Sequence, residues 1–181
     1  MGGGMKKRDN RGVTLVELII VMAILSVMIG MTGYGLGMIT KKPVDECAKK
    51  IEMALNQNRT NAMGNTEAWL EFYMENDRAA VREKLVNSVR DAGHPVEKVR
   101  ESVIGAKEVK VRLYYKVGNS ESWVELDSVR RIGFQRDTGS LTGEADGRVY
   151  TRIEVYKGTY SPTGYMRTIE LDALTGKVRL R

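Results

Sequence analysis

The stretch Gly12-Val13-Thr14-Leu15-Val16-Glu17-Leu18-Ile19-Ile20-Val21 joins a short basic segment to a long apolar run. The run reaches Ile39 and contains one charged residue, Glu17. It is about 27 residues long, or roughly 40 Å as a helix, whereas a bilayer core needs about 20 residues. The run therefore predicts a helix that spans a membrane. A carboxylate inside such a helix is costly, which makes Glu17 a candidate functional residue.

The segment before the run, residues 1–12, is basic. Its four cations, Lys6, Lys7, Arg8 and Arg11, stand against one acid, Asp9, and supply +3 of the net charge of +6. Cations before an apolar helix favour a cytoplasmic N-terminus, although two lysines that follow the run weaken this asymmetry. Met5 is an alternative start that would shorten the segment.

Together these residues resemble the class III signal of type IV prepilins and type II secretion pseudopilins. The shared pattern is a Gly, then apolar-Thr-Leu-apolar-Glu, then a long apolar helix. The resemblance implies cleavage between Gly12 and Val13 by a prepilin peptidase, and N-methylation of the new terminus at Val13. It also implies that Thr14, Leu15 and Glu17 act in assembly with other pilin or pseudopilin subunits. Val13 departs from the family pattern, which usually has Phe at this position.

Helix geometry offers Glu17 a partner. After cleavage, the amine of Val13 would lie one turn from Glu17, and the positive end of the helix dipole also favours an ionised carboxylate. In a filament, Glu17 could instead meet the amine of a neighbouring subunit. Because a buried unpaired charge is costly, such pairing would select the register of the incoming subunit.

A secretory signal peptide is the main alternative, since Gly33-Tyr34-Gly35 offers small residues for cleavage. The apolar region of a signal peptide has about 7–15 residues and this run is longer. A signal-anchored extracytoplasmic domain of other function is a further alternative.

The rest of the chain predicts an amphipathic helix and a head. Pro43 is expected to break or kink the helix. Beyond it one apolar stripe recurs at helical spacing, namely Val44, Cys47, Ala48, Ile51, Leu55, Asn58 and Ala62. The predicted organisation is a cleaved leader (1–12), a transmembrane and assembly helix (13–40), its amphipathic continuation (41–63) and an α+β globular head (64–181). The single cysteine, Cys47, is expected in the core and allows no intramolecular disulfide.

Within the head, periodicity predicts both strands and helices. A first strand is expected over 69–74, then helices over 79–92 and 96–103, where apolar residues recur at helical spacing. From Lys107 the period changes to two, which predicts strands over 109–117, 122–126, 129–135 and 149–155. A hairpin of 165–171 with 177–181 ends the chain. The expected fold class is α+β and pilin-like, a long N-terminal helix packed on a small antiparallel sheet. The last hairpin is similar to that of H-type minor pseudopilins.

No catalytic centre, cofactor site or metal site is predicted. Asp137-Thr138-Gly139 matches the aspartic-protease triplet, but that chemistry needs two such aspartates and the sequence also fits a plain turn.

The predicted function is that of a structural subunit of a type IV pilus or type II secretion pseudopilus. It would lie in the cytoplasmic membrane as a single-pass protein, with its N-terminus cytoplasmic and its head outside, and then enter the filament. Its expected partners are prepilin peptidase, other subunits and membrane lipid. A minor pilin that binds DNA for uptake is the alternative, and the candidate phosphate contacts are Lys110, Arg112, Lys116, Lys177, Arg179 and Arg181.

Overall fold

A computed structural model describes residues 14–64, 67–88, 95–117 and 120–181. It contains one long helix followed by antiparallel sheets, so the prediction of an α+β fold is confirmed. The chain divides into two compact units, one ending at Ile39 and the other running from Thr40 to Arg181.

Helix α1 spans Leu15–Gly64 and ends where the sequence predicts. It does not break at Pro43, which lies inside it. Proline removes one backbone hydrogen-bond donor. The loss of that one bond does not end the helix, because the helical residues on both sides keep theirs. Among the residues that the structure describes, no helix combines the length and apolar character needed to cross a membrane.

The predicted stripe of α1 is the face that enters the core of the second unit. All seven of its members are at most 2 % exposed: Val44, Cys47, Ala48, Ile51, Leu55, Asn58 and Ala62. Burial also raises the pKa of the Cys47 thiol to about 12, so this cysteine is a core residue rather than a reactive thiolate.

Within the described residues, ten strands follow the helix. Their bounds are β1 (Glu67–Glu75), β2 (Arg78–Ser88), β3 (Pro95–Val103), β4 (Val109–Val117), β5 (Ser120–Glu125), β6 (Arg130–Phe134), β7 (Leu141–Thr142), β8 (Tyr150–Lys157), β9 (Met166–Leu171) and β10 (Val178–Leu180). They form two five-stranded antiparallel sheets. Sheet A has the order β3-β2-β1-β6-β7, and sheet B has the order β10-β9-β8-β4-β5. The strand over 109–117 and the closing hairpin are confirmed.

The helices predicted over 79–92 and 96–103 are wrong, because these residues contribute strands β2 and β3. Residues 89–92 of the first prediction lie outside the described residues. The error has a simple cause: Val81 and Leu85 are four residues apart, a spacing that suits one face of a helix and also one face of a strand. Pairing of β2 with β1 along its length decides between the two, with Glu75 opposite Arg78.

The turn between β1 and β2 contains a sequence signal for a hairpin that hydrophobic periodicity alone does not show. Asn76 and Asp77 have φ angles of 49° and 60°, which is the left-handed region that a two-residue hairpin turn requires at both central positions. Asn and Asp tolerate this conformation better than other non-glycine residues. The pair Asn76-Asp77 between two apolar runs therefore marks a hairpin.

Hydrogen bonds between side chains join α1 to both sheets. On the sheet A side, Asn61 donates a 2.7 Å hydrogen bond to Glu83 on β2. On the sheet B side, Asp45 accepts hydrogen bonds from Tyr165 Oη (2.7 Å) and Arg167 Nε. These bonds hold the pKa of Asp45 below its usual value of 3.8, the Arg167 bond contributing most. The helix is thus bonded to sheet B at Asp45 and to sheet A at Asn61, which are different positions along its length.

Candidate functional site

The start of α1 is the first candidate site, because Thr14, Leu15 and Glu17 meet there. Leu15 is the first helical residue. The Glu17 backbone N–H donates to Thr14 Oγ1 at 3.3 Å, and the Leu18 N–H donates to the Thr14 carbonyl at 3.1 Å. Thr14 is therefore the N-cap of the helix, with Glu17 in its first turn.

This cap was missed at the sequence level, where Thr14 was assigned to assembly by resemblance alone. The pattern Thr14-Leu15-Val16-Glu17 is a capping-box sequence, in which a Thr precedes a Glu by three residues. It predicts that the helix begins immediately after Thr14. The acid of the motif then lies at the end of the helix where its dipole favours a negative charge.

Gly12 and Val13, the predicted cleavage and methylation positions, lie outside the described residues. Processing at this bond therefore stays a prediction.

The first turns of α1 expose their apolar side chains. Every large apolar residue from Leu15 to Ile29 is between 47 % and 75 % exposed, although the helix contains many of them: Leu15, Val16, Leu18, Ile19, Ile20, Val21, Met22, Ile24, Leu25, Val27, Met28 and Ile29. Continuous apolar surface of this kind marks a site of contact with other apolar groups, from protein or from lipid. Glu17 is the one acid on this surface.

The candidate DNA contacts do not form the exposed basic face that β4 was expected to offer. Lys110 and Lys116 are exposed, but Arg112 is only 6 % exposed and so is not part of an exposed basic face. The Arg112 guanidinium lies 3.8 Å from the centroid of the Trp123 ring and 3.7 Å from that of Tyr160. It also pairs with Glu125 at 3.0 Å. Its Nη2 is therefore bonded to Glu125 inside the fold, whereas its buried Nε has no hydrogen-bond partner.

The partner of Arg112 is also held by an aromatic hydroxyl. Tyr156 Oη donates to Glu125 at 2.7 Å. This bond and the one from Arg112 keep the pKa of Glu125 below its usual value. Tyr114, the neighbour of Arg112 on the same face, donates to Glu154 at 2.7 Å and is likewise buried. Around Arg112 and Tyr114, the outer face of sheet B is therefore covered by paired charges and by aromatic rings.

The remaining nominated cations lie near acids. Lys116, Lys177 and Arg179 line one cavity of about 400 Å³ on sheet B, together with the carboxylates of Glu121, Glu170 and Asp172. Arg181 pairs with Glu170 at 3.0 Å. The structure thus brings three of the six nominated residues together, but with three acids among them.

The Asp137-Thr138-Gly139 segment is a turn between β6 and β7. The Gly139 N–H donates to the Gln135 carbonyl at 2.9 Å, and Gly139 has a φ of 67°. Asp137 is exposed. The turn predicted at this triplet is confirmed.

Residues 7–33 match the family described as the prokaryotic N-terminal methylation motif, so the class III signal is confirmed. This supports a processed subunit of the type IV pilin or pseudopilin kind, cut by a prepilin peptidase and assembled with other such subunits. The motif includes the predicted cut and the Thr14 cap. No curated protein and no solved structure matches the chain. The similarity to H-type minor pseudopilins stays a prediction.

Proposed function

We propose that this chain is a structural subunit of a type IV pilus or a type II secretion pseudopilus and that it acts by assembly, not by catalysis. The observation that supports the proposal is the methylation motif over residues 7–33. The motif includes the start of α1, whose apolar side chains from Leu15 to Ile29 are exposed. The motif supplies a processing signal, and the exposed helix supplies an assembly surface.

Processing by the peptidase changes the chemistry of the helix start. Cleavage after Gly12 removes a segment with a charge of +3 and creates an amine on Val13, next to the Thr14 cap. The apolar helix then keeps two charges close together, the new amine and the Glu17 carboxylate. The cap orders the backbone between them, because the Thr14 hydroxyl accepts the Glu17 N–H.

Before assembly, the subunit is held in the cytoplasmic membrane through residues 13–40, with the leader inside and the head outside. In the filament, the apolar surfaces from Leu15 to Ile29 pack against those of other subunits. Glu17 pairs there with an amine, either its own or that of a neighbour, because a dry unpaired charge is penalised.

The test is the substitution Glu17→Ala in the full chain, expressed with a prepilin peptidase and an assembly system. Leader removal and membrane insertion are expected to persist, because removing an acid makes an apolar helix easier to hold in lipid. The fraction of processed subunit recovered in sheared filaments is expected to fall at least roughly tenfold, which corresponds to ~1.4 kcal/mol. Glu17→Gln is expected to behave in the same way, because charge and not shape is removed.

The matched control is Glu46→Ala, which removes an exposed carboxylate from the same helix. It should be processed and assembled like the unaltered chain. If Glu17→Ala were recovered in filaments like the unaltered chain, Glu17 would have no role in assembly. Equal loss in both variants would assign the effect to helix stability.

A further inference from the structure

A cationic cavity lies beside α1 in the second unit. It has a volume of about 480 Å³ and is bounded by the helix, the start of β2 and the loop after β3. Its lining includes three cations, Lys50, Arg78 and Lys107, and one carboxylate, Glu46. Glu46 pairs with Lys42 at 3.8 Å. Within the described residues, none of the three lining cations forms an ion pair, so their charges are available to a ligand.

An adjoining cavity of about 500 Å³ shares Arg78 and Lys107 but adds two acids, Glu75 and Asp77. This second cavity is balanced in charge, two cations against two acids. The surplus of positive charge is therefore on the helix side, where Lys50 adds a third cation. An anion would be favoured in the cavity beside α1 and not in its neighbour.

The position of this cavity in the chain points to the source of the anion. Pro43 lines it, and Pro43 is three residues after Thr40, where the second unit begins. Three helical residues advance the chain by only about 4.5 Å. Lys41 and Lys42 precede Pro43 and add to the positive charge. In the sequence, the lining residue Pro43 thus follows the proposed membrane segment, residues 13–40, by only three residues.

We infer that Lys50, Arg78 and Lys107 bind the phosphate of an anionic phospholipid headgroup in the membrane that holds the subunit. The inference rests on the proposed function for the membrane location. Each basic residue near an anionic surface strengthens attraction roughly fivefold, and Glu46 offsets part of this gain. The contact would fix the head against the membrane until the subunit enters the filament.

The test uses the full chain in micelles of an uncharged detergent, titrated calorimetrically with short-chain phosphatidylglycerol. Saturable binding is expected, at least tenfold tighter than that of short-chain phosphatidylcholine or of inorganic phosphate. The variant Lys50→Gln/Arg78→Gln/Lys107→Gln should lose at least tenfold in affinity. The single exposed substitutions Lys50→Gln and Lys107→Gln, each expected to weaken binding severalfold, provide the same test should the triple variant unfold.

The matched control is Lys116→Gln/Lys177→Gln/Arg179→Gln, which removes three cations from the other charged cavity. It should bind phosphatidylglycerol like the unaltered chain. If both triple variants lost affinity for phosphatidylglycerol equally, the effect would come from net charge and not from this cavity. Equal affinity for phosphatidylcholine would overturn the anionic preference, and equal affinity for inorganic phosphate would make this a free-anion site. Leader cleavage by a prepilin peptidase is measured on the same preparations. An unaltered chain that is cleaved normally but does not bind phosphatidylglycerol would overturn this inference and leave the proposed function intact.

Discussion

Asp45, on the helix, accepts a hydrogen bond from Arg167, which lies 122 residues later in the chain on β9. Tyr165 donates a second bond to the same carboxylate oxygen, at 2.7 Å. Asp45 is only five residues after Thr40, where the second unit begins. The helix is therefore tied to sheet B close to the point at which it enters the head.

Asp45→Asn is expected to lower the free energy of unfolding by roughly 1 kcal/mol at neutral pH, because the site is partly exposed and the charge-assisted bond is replaced by a weaker one. Glu46→Gln, one residue away and more exposed, should change it by less than about 0.5 kcal/mol. Because the folded-state pKa of Asp45 lies below its usual value of 3.8, its contribution is complete above that pH and is lost as the pH falls through the folded-state pKa. Urea unfolding at neutral pH and below pH 3 would measure this. A difference between Asp45→Asn and the unaltered chain that stays constant into strong acid would contradict the assignment.

No side chain is expected to fit at Gly176 without a loss of stability. It has a φ of 62°, and a Cβ at this position would lie 1.8 Å from the Gly139 carbonyl oxygen. Gly176→Ala should therefore cost at least about 2 kcal/mol, more than the ~1 kcal/mol expected from the left-handed backbone alone. Gly158→Ala is the control, because Gly158 has a φ of 73° but open space around its Cβ position. Thermal unfolding of both variants measures the difference, and equal effects would mean that the close approach of the two turns is not rigid.

Arg112 should be more sensitive than any other cation of β4. Replacement by Leu leaves Glu125 without its guanidinium partner and removes the guanidinium's contacts with the Trp123 and Tyr160 rings, so a loss of roughly 2–3 kcal/mol is expected. Arg112→Lys should recover only part of this, because an ammonium lacks the planar stacking surface. Lys110→Gln, on an exposed position of the same strand, should have almost no effect. Chemical unfolding curves provide the measurement, and a stable Arg112→Leu variant would show that the stacked group is dispensable.

Residues 40–181 are expected to fold without the N-terminal unit. This segment forms one compact unit, keeps the buried stripe of α1 and retains the Asp45–Arg167 contact. The fragment should be soluble and give a cooperative unfolding transition by circular dichroism. An aggregated or non-cooperative fragment would show that the head needs residues before Thr40 to fold.

Sequence patterns located most of the fold correctly where one periodicity was unambiguous. The stripe from Val44 to Ala62 repeats steps of three and four residues over a long segment, which predicts a helix, and every member is buried. The alternation from Val109 to Val117 has period two throughout, and it is a strand. In β2, by contrast, the spacing of Val81 and Leu85 fits both structures, so the choice depended on pairing with a distant strand.

The environment of Arg112 could not be read from sequence for a similar reason. Alternation placed it correctly on the outer face of β4, where a cation is normally solvated. Its burial depends on Trp123 from β5 and Tyr160 from the β8–β9 connection, and no local pattern encodes that meeting. The Thr14 cap, in contrast, is a local feature and could have been predicted from Thr14 and Glu17 alone.

The central claim is that the chain is processed as a class III signal substrate. The most direct measurement is intact and N-terminal mass spectrometry of the full chain after co-expression with an active prepilin peptidase. The mature protein is expected to begin at Val13, to have a methylated amine and to retain the apolar helix, and a bulky residue in place of Gly12 is expected to block the cut. An uncut chain in the presence of active peptidase, or a mature N-terminus near Leu36, would contradict the central claim.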